Sequence, residues 1–234
     1  MKDRILVALD VESREAALGL ADRLRGEVGG FKVGSRLFTA EGPSMVRALV
    51  ERGDKVFLDL KFHDIPNTVA TAVAAATHLG VWMVNVHAGG GTAMMRAAGD
   101  AAREAAARRG TAPPLVIAVT VLTSMNQPAL HEVGVVIDVM DQVLRLAELT
   151  KEAGLDGVVA SPLETRAIRA RCGSGFTIVT PGIRGGTAAD AKNDQERTMA
   201  PAEAVAAGAS YLVVGRPVIA AADPLAAARL IGGA

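Results

Sequence analysis

In the stretch LDLKFHDIPNT, residues 58–68, Asp59, Lys61, His63 and Asp64 fall within six consecutive positions. The residues leading into them, KVFL, read as the start of a buried strand. Charges of both signs are costly at the end of a core strand unless they are paired or used. A lysine between carboxylates is favoured as the ammonium, because nearby negative charge stabilises that form. Lys61 therefore suits a general acid or an electrostatic stabiliser. It does not suit a Schiff-base nucleophile, which must be neutral to attack.

A second group of residues points to an anion. The segments TPGIRGG (180–186) and VVGRPV (213–218) combine glycine with arginine. Glycine lets backbone N–H groups approach an anion closely, and arginine adds charge-assisted hydrogen bonds. Arg184, Gly215 and Arg216 are the candidate phosphate contacts. HAGGG (87–91) is a weaker signal, since Gly-rich turns are common. There is one cysteine, Cys172, so neither an internal disulfide nor a cysteine zinc cluster can form. No GxGxxG fingerprint is present, and lysines interleaved with the acidic groups would repel a cation. The expected ligand is a phosphorylated small molecule, bound without metal or cofactor.

These residues need a scaffold that brings distant positions together. Eight apolar, β-branched runs recur, at 4–10, 30–34, 55–61, 82–88, 114–122, 156–161, 176–183 and 211–217. Ala-rich stretches of helical spacing lie between them, often ended by glycine, as at Gly80, Gly110, Gly154 and Gly208. Eight β/α units in 234 residues predict an α/β fold, a (β/α)8 TIM barrel forming one domain over 1–234. An open doubly wound sheet is the alternative.

Strand side chains alternate between faces. In the third run Val56, Leu58 and Leu60 share the helix-facing side, and Phe57, Asp59 and Lys61 share the inner one. Asp10 ends the first run, and Lys32 lies between outward Phe31 and Val33. Asn85 and His87 share one face of the fourth run, and His63, just beyond the third run, is expected to have a structural or interface role. Asp10, Lys32, Asp59 and Lys61, with Asp64 in the next loop, would then converge on the C-terminal mouth, where barrel enzymes keep their chemistry. An ion-pair network that only fixes barrel geometry is the competing reading. A cluster this large is expensive, which favours function. The polar segment 184–201 sits where a barrel carries an active-site loop.

Composition narrows the partners. The 25 basic and 25 acidic residues balance, so nothing draws the chain to nucleic acid or anionic membrane. Aromatic residues make up 3% of the chain, too few for a base-stacking platform. The run Ile5–Leu9 is too short for a secretory signal, and no stretch reaches the roughly 18 apolar residues of a spanning helix. A soluble, cytoplasmic protein is expected.

The segment DLKFHDIPNT resembles the signature of the orotidine 5'-phosphate decarboxylase family, in its shorter bacterial branch. The resemblance extends in order through VALD (7–10), FKVG (31–34), NVHAGGG (85–91), VTVLTSM (119–125), TPGIR (180–184), DQ (194–195) and VVGRPV (213–218). The Asp-x-Lys-x-x-Asp core alone is shared with sister sugar-phosphate lyases, which typically use magnesium. The resemblance implies a cofactor-free homodimer that converts orotidine 5'-monophosphate to UMP and carbon dioxide in pyrimidine biosynthesis. It implies that Lys61 protonates C6, that Asp59 lies beside the leaving carboxylate, and that Lys32 and Asp64 complete a charge network. Asp10 and Lys32 would contact the ribose hydroxyls, and Thr123 would lie near the base. Gln195, Arg184, Gly215 and Arg216 would hold or close over the phosphate. Asp64 and Thr68 would cross the dimer interface into the partner's site.

Overall fold

A computed structural model describes residues 1–183 and 199–233. All eight apolar runs form parallel strands: β1 (Ile5–Ala8), β2 (Gly30–Gly34), β3 (Val56–Phe62), β4 (Met83–His87), β5 (Leu115–Val119), β6 (Gly157–Val159), β7 (Thr177–Thr180) and β8 (Tyr211–Val214). Each pairs with the next, and β8 pairs with β1, which closes the barrel and excludes the open sheet.

The helices are α1 (Arg14–Leu24), α2 (Ser35–Glu41), α3 (Pro43–Glu51), α4 (Pro66–His78), α5 (Gly91–Arg109), α6 (Gln127–Glu132), α7 (Val139–Glu152), α8 (Thr165–Cys172), α9 (Pro201–Ala206), α10 (Arg216–Ile219) and α11 (Pro224–Gly232). Local chemistry starts and stops them. Proline opens α3, α4, α9 and α11, where its missing N–H costs nothing. Ser13 caps α1 by accepting from the Ala16 N–H at 3.2 Å. Gly110 ends α5 in the left-handed conformation (φ 64°), which glycine adopts without a Cβ penalty.

The strand alternation divides the core in two. Leu6, Ala8, Phe57, Met83, Ile117, Val179 and Val213 fill the barrel interior. Val7, Phe31, Val33, Leu58, Val84, Val86 and Ile178 pack outward against the helices. The filled interior closes the barrel below its mouth, so the inner residues at the strands' C-terminal ends line a cup and not a pore. No described helix is long and apolar enough to cross a membrane.

Candidate active site

A cavity of about 500 Å³ opens at the C-terminal mouth, within the range of about 300–1,000 Å³ usual for small-ligand sites. Its lining includes Asp10, Lys32, Asp59, Lys61, Thr123, Gly215 and Arg216. Register aligns the charged residues. Ala8 lies beside Lys32, Lys32 beside Phe57, and Gly34 beside Asp59. The charges form one chain of alternating sign. Lys32 Nζ is 3.5 Å from Asp10 Oδ1 and 3.4 Å from Asp59 Oδ2, and Lys61 Nζ is 2.7 Å from Asp59 Oδ1. Gly34 leaves room for it, since a Cβ there would lie 2.8 Å from Lys32 Nζ and 3.3 Å from Asp10 Oδ1.

Burial raises the Asp59 pKa, but the charges of Lys32 and Lys61, with hydrogen bonds from Lys61 and Asn85, outweigh it. The carboxyl is held below its ordinary 3.8. A fixed carboxylate thus stands between two ammonium groups on the cavity wall.

Pleat alternation alone does not explain how Lys61 reaches the cavity. Leu58 pairs with Val84, but Phe62 pairs with Val86, so the ladder between β3 and β4 shifts across Asp59–Lys61. Lys61 is the one non-glycine residue with positive φ among the described residues, at 53°. That conformation costs about 1–2 kcal/mol for an L-residue. Such bulges often re-aim side chains beside active sites. The Lys61 N–H donates to Asn85 Oδ1 at 2.8 Å, and Asn85 Nδ2 donates to Asp59 Oδ1 at 2.7 Å.

Two expected members of the site lie elsewhere. Asp64 is exposed and accepts from the Ile65 N–H at 2.6 Å, and Thr68 is exposed in the first turn of α4. Neither lines the cavity of its own barrel. Within one chain the network is therefore Asp10–Lys32–Asp59–Lys61, without Asp64. Arg184 and Gln195 lie outside the described residues.

The sequence reading missed Arg36. It lines the cavity from the first turn of α2, bonded to Glu12 and to the Asp10 carbonyl. Its place two residues beyond the end of β2, the strand that carries Lys32, was the available signal. The reading also missed the apolar wall of Val121, Val159, Ala160 and Ile183. Apolar residues at a mouth look the same in sequence as apolar residues in a core.

His87 is half-buried at the end of β4 and stacks on exposed His63, with ring centroids 5.4 Å apart. Burial lowers its pKa below the ordinary 6.5, the charges of His63 and Lys61 lower it further, and Asp59 opposes them. The unfolded chain therefore binds a proton at His87 at higher pH than the folded chain does. Stability should fall as pH drops through 6.5 toward the folded value. Tm measured between about pH 5 and 8 should fall less steeply on the acid side for His87→Gln than for the parent. Identical slopes would show that another group dominates.

A closed (β/α)8 barrel whose mouth holds an acid–base chain and Arg216 in one cavity has the architecture of a barrel enzyme. Charged groups fixed in such a cup can stabilise charge that develops on a bound small ligand. The model of the "Orotidine 5'-phosphate decarboxylase / HUMPS family" matches residues 3–231, and the chain belongs to that family. Curated relatives named orotidine 5'-phosphate decarboxylase include one from Moorella thermoacetica, 58% identical over 98% of this chain and 91% of the relative. Another, from Syntrophotalea carbinolica, is 55% identical over 98% and 93%. The crystal structure of orotidine 5'-phosphate decarboxylase from Lactobacillus acidophilus is similar, with a TM-score of 0.86 and 38% identity over 98% of this chain and 97% of that one.

Proposed function

We propose that this protein is an orotidine 5'-phosphate decarboxylase that converts orotidine 5'-monophosphate to UMP and carbon dioxide. The observation that carries the reading is the Asp10–Lys32–Asp59–Lys61 chain at the cavity wall. Losing carbon dioxide leaves an electron pair on a ring carbon that has no conventional electron sink. An ammonium held beside that carbon stabilises the charge as it develops.

In this reading the bond between C6 and the carboxylate breaks, its electron pair stays on C6, and carbon dioxide leaves. Lys61 then gives a proton from Nζ to C6, and the neutral amine regains one from solvent. Asp59 lies beside the substrate carboxylate and keeps Lys61 aimed. Asp10 and Lys32 bond the ribose hydroxyls, and Thr123 lies near the base. Arg216 and the Gly215 backbone hold the phosphate, with Arg184 and Gln195 of the following loop. Phosphate binding far from C6 contributes energy that orders the reacting end.

The chain acts as one barrel domain in a cytoplasmic homodimer, needs no cofactor, and has neither nucleic acid nor membrane as a partner. Asp64 and Thr68 act in the partner's site. Their exposure outside their own cavity supports that assignment.

Ultraviolet absorbance tests the reading directly. Orotidine 5'-monophosphate should be consumed at the same rate with and without EDTA. No consumption would refute the assignment and favour a magnesium-dependent sister lyase acting on a sugar phosphate, whereas consumption lost in EDTA would refute the metal-free reading. Arg216→Ala should weaken turnover of the nucleotide far more than that of the phosphate-free nucleoside. The lost charge-assisted contact is worth about 1.5–3 kcal/mol, or about 10–150-fold in kcat/KM. Equal losses for both substrates would remove Arg216 from the phosphate site.

A further inference from the structure

Asn85 is fully buried on the inner face of β4, yet it does not line the cavity. Both halves of its amide are used. Oδ1 accepts from the Lys61 N–H and Nδ2 donates to Asp59 Oδ1. The orientation of the amide is forced, since a backbone N–H can only donate and a carboxylate can only accept. Asp59 Oδ1 also receives Lys61 Nζ. One side chain therefore ties together the backbone of Lys61, the carboxylate that Lys61 pairs with and, through that carboxylate, its ammonium.

The position of this amide is informative. It meets Lys61 where φ is 53° and where the ladder between β3 and β4 is interrupted. There the amide oxygen serves the Lys61 N–H in place of a strand carbonyl. The residues on either side of Asn85 in β4, Val84 and Val86, are apolar and buried, as is Met83. A buried amide in such a strand is costly unless all its groups are satisfied. A neutral amide also donates to Asp59 without adding a third cation to compete with Lys32 and Lys61.

Resting on the decarboxylase reading, we propose that Asn85 is a positioning residue for the reaction. It holds Lys61 in the left-handed conformation and anchors Asp59, so that the ammonium stays aimed at C6. Asn85 itself touches neither substrate nor product.

Two variants test this. Asn85→Asp keeps the shape and the acceptor for the Lys61 N–H, but sets a second carboxylate against Asp59. Asn85→Ala removes both bonds. Turnover of orotidine 5'-monophosphate is measured alongside calorimetric titration with UMP, which counts competent sites and gives nucleotide affinity. Misplacing a reacting group by about 1 Å costs about 100-fold, so kcat per UMP-binding site should fall by about that factor or more. UMP affinity should stay within about threefold of the parent, because the phosphate contacts lie elsewhere and the two Asn85 bonds go to the Lys61 N–H and Asp59, not to Lys32 or Asp10. A purely structural role would lower the number of UMP-binding sites but leave kcat per site unchanged. That result, in whichever variant folds, would overturn the proposal, as would a loss of UMP affinity matching the loss of turnover. Asn85→Asp is the isosteric change and decides the matter if Asn85→Ala fails to fold. Turnover by the parent protein separates the two claims. An inactive parent defeats the decarboxylase reading, whereas an active parent with active variants defeats only the role of Asn85.

Discussion

Lys61→Ala should abolish measurable decarboxylation while leaving UMP binding largely intact. Lys61 Nζ lines the cavity 2.7 Å from a carboxylate held charged between two cations, so the ammonium is fixed before substrate arrives. Two separate effects disappear with it. General-acid transfer contributes about 10²–10⁴-fold, and a preorganised charge about 10²–10³-fold. The combined loss should therefore be about 10⁴-fold or more. Asp59 keeps Lys32 and Asn85 as partners, and the Gly215–Arg216 end is untouched. Calorimetry with UMP and a turnover assay on the same preparation would check both halves of the expectation. Turnover near that of the parent would remove Lys61 from the chemistry.

Asp64 should give the second large effect, and one of unusual form. Asp64→Ala and Lys61→Ala should each be inactive alone, and activity should return when they are mixed under conditions that let subunits exchange. Asp64 sits beyond β3, exposed, outside the cavity of its own barrel. Exposed Ile65 follows it, with a relative exposure of 66%. An exposed apolar residue beside Asp64 suits a surface that another subunit covers. In a mixed dimer one site lacks both groups and the other is intact. With random exchange of equal amounts, roughly half the dimers are mixed and half their sites work. Activity should approach roughly one quarter of the parent level per subunit, assuming closed two-fold association. If Asp64 served its own barrel, every site in a mixed dimer would lack one group. The mixture would then stay inactive, and Asp64 and Thr68 would have to be withdrawn from the shared site.

The barrel was legible because each unit carries its own local signals. All eight apolar runs became strands, and glycine follows the last turn of α5 where the spacing predicts an end. Period-two alternation also placed Lys32 and Asp59 correctly, since Phe31 and Val33 pack outward while Lys32 and Asp59 point inward. Arg36 and the apolar wall of the cavity were not legible. Their types are compatible with a solvated helix and a packed core, and only the closure of the barrel gives them a common space.

The sequence by itself determined the eight-unit barrel, the inward set Asp10, Lys32, Asp59 and Lys61, and a family resemblance that the family match over residues 3–231 upholds. Those properties reside in periodicity and in short motifs, which local interactions are enough to specify. The tertiary structure alone decided three things. It showed that the inner-face placement of Lys61 passes through an interrupted ladder and a left-handed backbone, where simple alternation had predicted a regular strand. It brought Asn85, 24 residues from Lys61 and 26 from Asp59 in sequence, onto both. It also left Asp64 outside the cavity that its neighbours in sequence line. Each of these depends on register between strands or on the path of a loop. Such features are fixed by which long-range hydrogen bonds form when the barrel closes, and residue type alone does not record them.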